Sequence, residues 1–156
     1  MATADYPAAE KAAQKLSERD EDSLLFELGK RIEDSKQPGG EQRKLEYEAA
    51  FVDTSETQGF EFFENVGRRW YKNAEAELMK FLCDKNNADR DRLTSGKTIP
   101  QIAASLATAG LLAVLAAPPA WVIVATTIVA QKIASTGIDA WCQVYYERQT
   151  GAASRK

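Results

Sequence analysis

Residues 98–131 carry no charged side chain, although 28% of the whole chain is charged. Of the 20 basic and 23 acidic residues, only six lie beyond Lys97. A helix that is apolar on every side must be buried, either in a protein core or in a lipid bilayer. The rest of the chain therefore has to be arranged around this segment.

The charge-free segment has the signals of two consecutive helices. Thr98 and Gln101 are spaced as a capping box for the first helix, and Pro118-Pro119 ends that helix and opens the next. Helices joined by so short a turn lie antiparallel. We therefore predict a central apolar hairpin of residues 99–117 and 119–148.

Residues 23–85 show apolar side chains at helical spacing, separated by turn sequences. One amphipathic helix begins at Ser23 and ends at Gln37-Pro38-Gly39-Gly40. Its charged face is predicted to be exposed and consists of Glu27, Lys30, Arg31 and Glu33. A second helix is predicted through Leu45, Ala49 and Val52.

The third amphipathic helix has the clearest period and a predicted capping box at Ser55 and Gln58. Its predicted buried positions are Phe60, Phe63, Val66, Trp70, Ala74, Leu78 and Phe81 or Leu82. Together these patterns indicate an all-α fold, a bundle of about five helices in one domain over residues 1–156. We expect residues 1–22 to be a loosely ordered segment before the amphipathic helices of 23–85 and the hairpin within 98–148.

The residues that usually carry catalysis or bind metals are scarce. The chain has no histidine, and its two cysteines, Cys83 and Cys142, lie 59 positions apart. We expect two buried, free thiols in a reducing cytoplasm, no metal or cofactor, and no enzymatic activity. The N-terminal sequence lacks the apolar core of a signal peptide. The predicted location is cytoplasmic, with membrane association as the alternative.

Two groups of residues are candidates for binding. Arg68, Arg69 and Lys72 combine with neighbouring aromatic residues and could hold an acidic partner. The candidates for membrane insertion or self-association come from the hairpin and are Leu111, Leu112, Leu115, Trp121, Val122 and Ile123.

Ser95-Gly96-Lys97-Thr98 matches the end of a phosphate-binding loop. Asp91 stands where that motif requires its first glycine, so we interpret the sequence as a capped helix start. An anion held at this helix start with the help of Lys97 stays open as an alternative.

Two functions follow from these patterns. The first is a non-enzymatic module that binds another protein or a second copy of itself, with the hairpin as core or self-association surface. The alternative is a membrane-active effector that inserts residues 99–138. Its layout is similar to that of the pore-forming domains of colicin-type toxins, which enclose a charge-free hairpin in amphipathic helices; this resemblance is confined to the hairpin and includes no shared motif. A net charge of −3 argues against nucleic acid as a partner.

Overall fold

The computed structural model describes residues 6–49, 59–84, 90–111, 115 and 117–154, and these residues form an all-helical protein without strands. The α-helices in chain order are α1 (Tyr6–Leu16), α2 (Glu21–Asp34), α3 (Gly40–Arg43), α4 (Phe60–Cys83), α5 (Arg90–Thr94), α6 (Ile99–Leu106), α7 (Pro119–Thr136) and α8 (Ile138–Ser154). A π-helical turn, Ala107–Leu111, follows α6. The expected all-α class is confirmed.

Helix α7 forms the centre of the fold, because its side chains are buried along almost its whole length. It packs against α6, α2, α1 and α8, and α2 in turn packs along α4. The fully buried side chains of α7 include Val122, Ile123, Val124, Thr126, Thr127 and Val129. The neighbouring helices thus shield the apolar side chains of α7 from water.

A buried arginine fastens the start of α7 to α2. The Arg31 side chain is 5% exposed, and its Nε donates a hydrogen bond of 2.8 Å to the Glu27 carboxylate. One terminal nitrogen donates to the carbonyl oxygens of Tyr47 at 2.7 Å and Ala120 at 3.0 Å. Burial lowers the pKa of Arg31, and the Glu27 carboxylate opposes this shift. A charge is tolerated inside the protein when its donors are paired in this way.

The expectation that this charged face is exposed is therefore wrong for three residues. Glu27, Lys30 and Arg31 are buried, and only Glu33 keeps partial exposure. Lys30 lies 4.7 Å from the centre of the Phe63 ring. Helical periodicity could not reveal this, because α2 is covered by the segment around Tyr47 as well as by the core.

Helices α2 and α4 touch through their backbones at two glycines. A Cβ atom placed on Gly29 would lie 1.7 Å from the carbonyl oxygen of Phe63, and one on Gly67 would lie 2.0 Å from that of Leu25. Tyr71 lies one turn after Gly67 on the same face of α4 and is also buried. The glycines therefore set the distance between the two helices.

Helix α4 ends where the pattern predicts, but it begins later than predicted, after its N-cap Gly59, and its buried face is rotated. Phe63, Ala74, Leu78 and Leu82 are buried as expected. Val66 and Trp70 are only partly buried, and Phe60 is largely exposed. The two glycines cause this rotation, since the closest approach to α2 lies at Gly67 and not beside a large apolar residue.

Several boundaries also differ from the predictions. Residues 6–16 form helix α1, whose apolar face joins the core, and are not loosely ordered. The second predicted helix is wrong for Leu45 and Ala49, which lie after the short helix α3 and outside any helix, and Leu45 is 63% exposed. Val52 and the capping box at Ser55 and Gln58 lie outside the described residues.

The second arm of the predicted hairpin is not one helix. The capping box of Thr98 and Gln101 is confirmed at the start of α6. The single helix over residues 119–148 is wrong, because Gly137 adopts φ 89° and separates α7 from α8 by a bend of 104°. Glycine is the residue best suited to such a helix end.

Gly29→Ala is expected to destabilise the protein by about 3 kcal/mol or more, because the new methyl group overlaps the backbone of α4. Gly59→Ala is the control, since Gly59 has nothing within 4 Å of its added Cβ; it should change stability by about 1 kcal/mol or less. Urea unfolding followed by circular dichroism measures both. Equal stability of the two variants would contradict the proposed backbone contact.

Candidate binding groove

Helices α4, α7 and α8 enclose a groove of about 870 Å³ on the surface, which we call the main groove. This volume lies in the range of natural ligand and side-chain binding clefts. Its apolar lining consists of Ala76, Met79, Ile128, Ala140, Trp141 and Val144. Val144 is 43% exposed, so the groove presents apolar surface to the solvent.

The charged lining of the main groove has a positive excess. Its cations are Lys72, Lys132 and Arg148, and its anions are Glu21 and Glu75. The Lys132 ammonium lies 3.0 Å from Glu75 and 3.6 Å from Glu21, so these three charges belong to one cluster. Among the described residues, Lys72 and Arg148 have no carboxylate at ion-pair distance, which leaves two cations at the edge of the groove.

The Glu75 carboxylate connects α4 to the end of α7. The same oxygen accepts hydrogen bonds from the Tyr71 hydroxyl at 2.9 Å and from Lys132 at 3.0 Å. The Lys132 ammonium also lies 5.0 Å from the centre of the Tyr71 ring. Burial raises the pKa of Tyr71, and the neighbouring Glu75 charge raises it further. Lys132 is 32% exposed and ion-paired with Glu75, so its side chain connects α7 to α4 and is not freely solvated.

A disulfide joins Cys83, at the end of α4, to Cys142 of α8, next to the groove residue Trp141. The expectation of two free thiols is therefore wrong, although both cysteines are fully buried as expected. The bond closes a loop of 59 residues. Loop-closure entropy of that size stabilises the folded state by about 4 kcal/mol. The spacing of two lone cysteines did not reveal this pairing, because it arises only when α4 and α8 pack together.

The predicted basic residues lie together on the exposed face of α4. Arg68, Arg69 and Lys72 line a shallow pocket of about 400 Å³ with Asn65. Arg68 is ion-paired, at 3.0 Å to Glu64 and at 3.6 Å to Asp22. Lys72 belongs to this pocket and to the main groove, so the basic face continues into the groove.

The predicted insertion or self-association residues occupy a different place. Val122 and Ile123 are fully buried, and Trp121 packs edge-on against Trp70 with ring centres 5.7 Å apart. Leu115 is partly buried against the core. Leu112 and the side chain of Leu111 lie outside the described residues. The placed members of this group therefore contribute to the core.

Sequence reasoning identified Lys72 but missed the other groove residues. The sequence contains no local signal that assigns Glu75, Arg148 or Val144 to a groove. Lys132 was the one sequence signal for the groove. It is the first charged residue after the apolar segment, so its ammonium group requires either an ion-pair partner or contact with water.

No protein-family model matches the chain, and no curated protein or solved structure is significantly similar to it. In the described part of the chain, no three cysteine, aspartate or glutamate side chains are placed to hold a metal ion. Within the same residues, no single helix has the length and hydropathy of a membrane span. The bent pair of α7 and residues 138–148 meets both criteria when its two parts are combined.

Tyr71→Phe is expected to cost about 1 kcal/mol at neutral pH, because it removes the hydrogen bond to Glu75. At alkaline pH the difference should shrink. The folded protein holds the pKa of Tyr71 above its ordinary value of 10.0. The unfolded chain therefore loses this proton first, and the wild-type protein loses up to about 1.4 kcal/mol per pH unit above that value.

Urea unfolding of both proteins at about pH 8 and about pH 11 measures this change. The two proteins differ only in the hydroxyl at position 71, so the comparison isolates Tyr71. A difference between the two proteins that stays constant over this range would contradict the buried position of the Tyr71 hydroxyl.

Proposed function

We propose that the protein is a non-enzymatic interaction module that binds an acidic, amphipathic helix of another protein in the main groove. The observation that supports this proposal is an apolar floor with two cations at its edge, Lys72 and Arg148, neither of which has a carboxylate of the described residues at ion-pair distance. Partner helices bind grooves of this kind by placing their apolar face on the floor.

Charge favours an acidic partner over a basic one. The groove lining carries a net charge of +1 in a chain whose net charge is −3. Arg69 lies beside Lys72 and extends the positive surface along α4. Complementary charges of this kind increase the rate and specificity of association.

The apolar segments have a structural role in this proposal. We infer that the predicted antiparallel hairpin, with α6 and α7 as its described parts, forms the core against which α4 packs. The disulfide then holds α8 against α4 as the third wall of the groove. The predicted cytoplasmic location stays a prediction, and disulfides are more frequent in oxidising compartments.

The test uses a synthetic helix of about 18 residues with leucines on one face and glutamates on the other. We expect it to bind the intact, oxidised protein, and the double variant Lys72→Glu/Arg148→Glu to bind it at least about tenfold more weakly. Fluorescence anisotropy of the labelled peptide measures the affinity.

Lys80→Glu is the matched control, because Lys80 is an exposed lysine of α4 outside the groove lining. It should bind the peptide as the wild-type protein does. A peptide with lysines in place of glutamates should bind more weakly. Equal affinity for both peptides, or an equal loss in both protein variants, would contradict the proposed groove.

A membrane-active effector is the second candidate, and the bent pair of α7 and α8 is the observation that favours it. Insertion would have to break the Lys132–Glu75 ion pair and expose the buried face of α7. Flotation with anionic vesicles at about pH 7 and about pH 5 tests this function. Protein that rises with the lipid would support the effector, and protein that stays at the bottom would exclude ready insertion.

A further inference from the structure

Helix α8 is attached to the rest of the protein by few buried side chains. Within residues 138–148, Trp141 and Cys142 are buried, while Ile138, Tyr145 and Tyr146 are only partly buried against the core. Helix α7, in contrast, buries most of its side chains. Because apolar burial is the main force that holds a helix in place, packing alone holds α8 less firmly than α7.

The indole of Trp141 weakens the packing of α8 further. Trp141 is 7% exposed, and its ring nitrogen is buried without a hydrogen-bond partner in the described part of the chain. A buried donor without a partner opposes folding, because it has given up its hydrogen bond to water. Movement of α8 away from the protein would return this donor to water.

Gly137 provides a hinge between α7 and α8. It ends α7 with φ 89°, and the two helices meet there at a bend of 104°. Apart from its neighbours in sequence, no part of the described chain lies within 4 Å of a Cβ atom placed on Gly137. Since glycine adopts a wide range of backbone angles, α8 can swing about this residue while α7 stays folded.

The disulfide supplies the attachment that the packing of α8 lacks. It joins Cys142 to Cys83, which is the last residue of α4. Because Cys83 lies at the end of its helix, α8 can separate from it after the bond is broken without a change inside α4. The bond therefore controls a local contact in addition to closing a long loop.

We propose that this disulfide is a redox latch, whose reduction by a dithiol releases α8 and opens the main groove. A thiolate of the dithiol attacks one protein sulfur, which breaks the S–S bond and forms a mixed disulfide and one cysteine thiolate. The second thiol of the reductant then displaces the other protein sulfur. The protein gains two electrons and two protons and carries two thiols, while the dithiol becomes a disulfide. Both cysteines are fully buried, so the attack takes place during brief local openings of α8.

The released helix takes part of the main groove with it. Ala140, Trp141, Val144 and Arg148 are the residues of α8 in the groove lining. Their departure removes part of the apolar floor and one of the two cations at the edge. The expected loss of binding rests on the proposed function of the groove, whereas the release of α8 does not.

The release of α8 is tested by the rate at which iodoacetamide reacts with the thiols of the wild-type protein, reduced with dithiothreitol and desalted without oxygen. The reference is the thiol introduced by Val129→Cys into a Cys83→Ala/Cys142→Ala protein, because Val129 is fully buried in α7. Each rate is divided by that of the same thiol in the urea-unfolded chain. We expect Cys83 and Cys142 to react at least about tenfold faster than this reference.

Circular dichroism of the reduced protein shows whether the other helices remain folded. Ala103→Cys, at a fully buried position of α6, is the second core reference if Val129→Cys does not fold. Equally slow reaction of Cys142 and the core reference would mean that α8 stays docked without the bond, and would overturn the latch. Loss of the helical signal on reduction would also overturn it, because the bond would then be needed by the whole fold.

Fluorescence anisotropy with the acidic peptide tests the effect on the groove. Reduction of the wild-type protein should weaken binding at least about tenfold, and Cys83→Ala/Cys142→Ala should bind equally weakly with and without the reductant. Equal affinity of the oxidised and reduced proteins would overturn control of the groove by the bond. A peptide that does not bind the oxidised protein would contradict the proposed function alone, and the thiol reaction would still decide whether α8 is released.

Discussion

The burial of α7 is the constraint on which the rest of the structure depends. Most of its side chains are apolar and buried, so other helices must cover it, and polar contacts fix both of its ends. At its start, Arg31 donates to the carbonyl oxygen of Ala120. At its end, Lys132 pairs with Glu75, and the Gln131 amide donates to the carbonyl oxygen of Arg19 at 2.7 Å. The amphipathic helices thus contribute both the apolar cover of α7 and the charged partners at its two ends.

The proposed groove is a consequence of this arrangement. Glu75 is occupied by Lys132 and Tyr71 because these groups fasten α4 to α7. The carboxylate is therefore not available to neutralise Lys72 or Arg148, and these two cations remain at the groove edge. The disulfide adds α8 as a wall that the bend at Gly137 alone would not hold in place. The pairing of Glu75 with Lys132 and Tyr71 therefore also explains why positive charge remains at the groove edge.

The sequence predicted the elements whose signals are local. The end of α4 followed from apolar periodicity, and the start of α6 from the spacing of Thr98 and Gln101. The helix end at Gly137 was not predicted, although glycine is a typical helix terminator. The long apolar pattern on both sides of Gly137 favoured a single helix.

The features that the sequence did not predict depend on contacts between distant segments. Gly29 reads as an unfavourable helix residue until Phe63 is placed against it. From the sequence, Arg31 is predicted to be exposed, because its partners Glu27, Tyr47 and Ala120 come together only in the fold. Cys83 is predicted to be a free thiol, because Cys142 is brought next to it only by the packing of α8 on α4. For the candidate site, residue type identified Lys72, whereas the groove itself required the relative positions of three helices.

Hydrogen exchange of the α7 amides, measured by mass spectrometry with and without anionic vesicles, tests most directly whether this helix is a permanent core. If α7 is a permanent core helix, the amides of residues 120–136 exchange most slowly, only through global unfolding, and vesicles leave their exchange unchanged. Rapid exchange of α7 in the free protein, or a change in its protection on adding vesicles, would contradict a permanent core position for this helix.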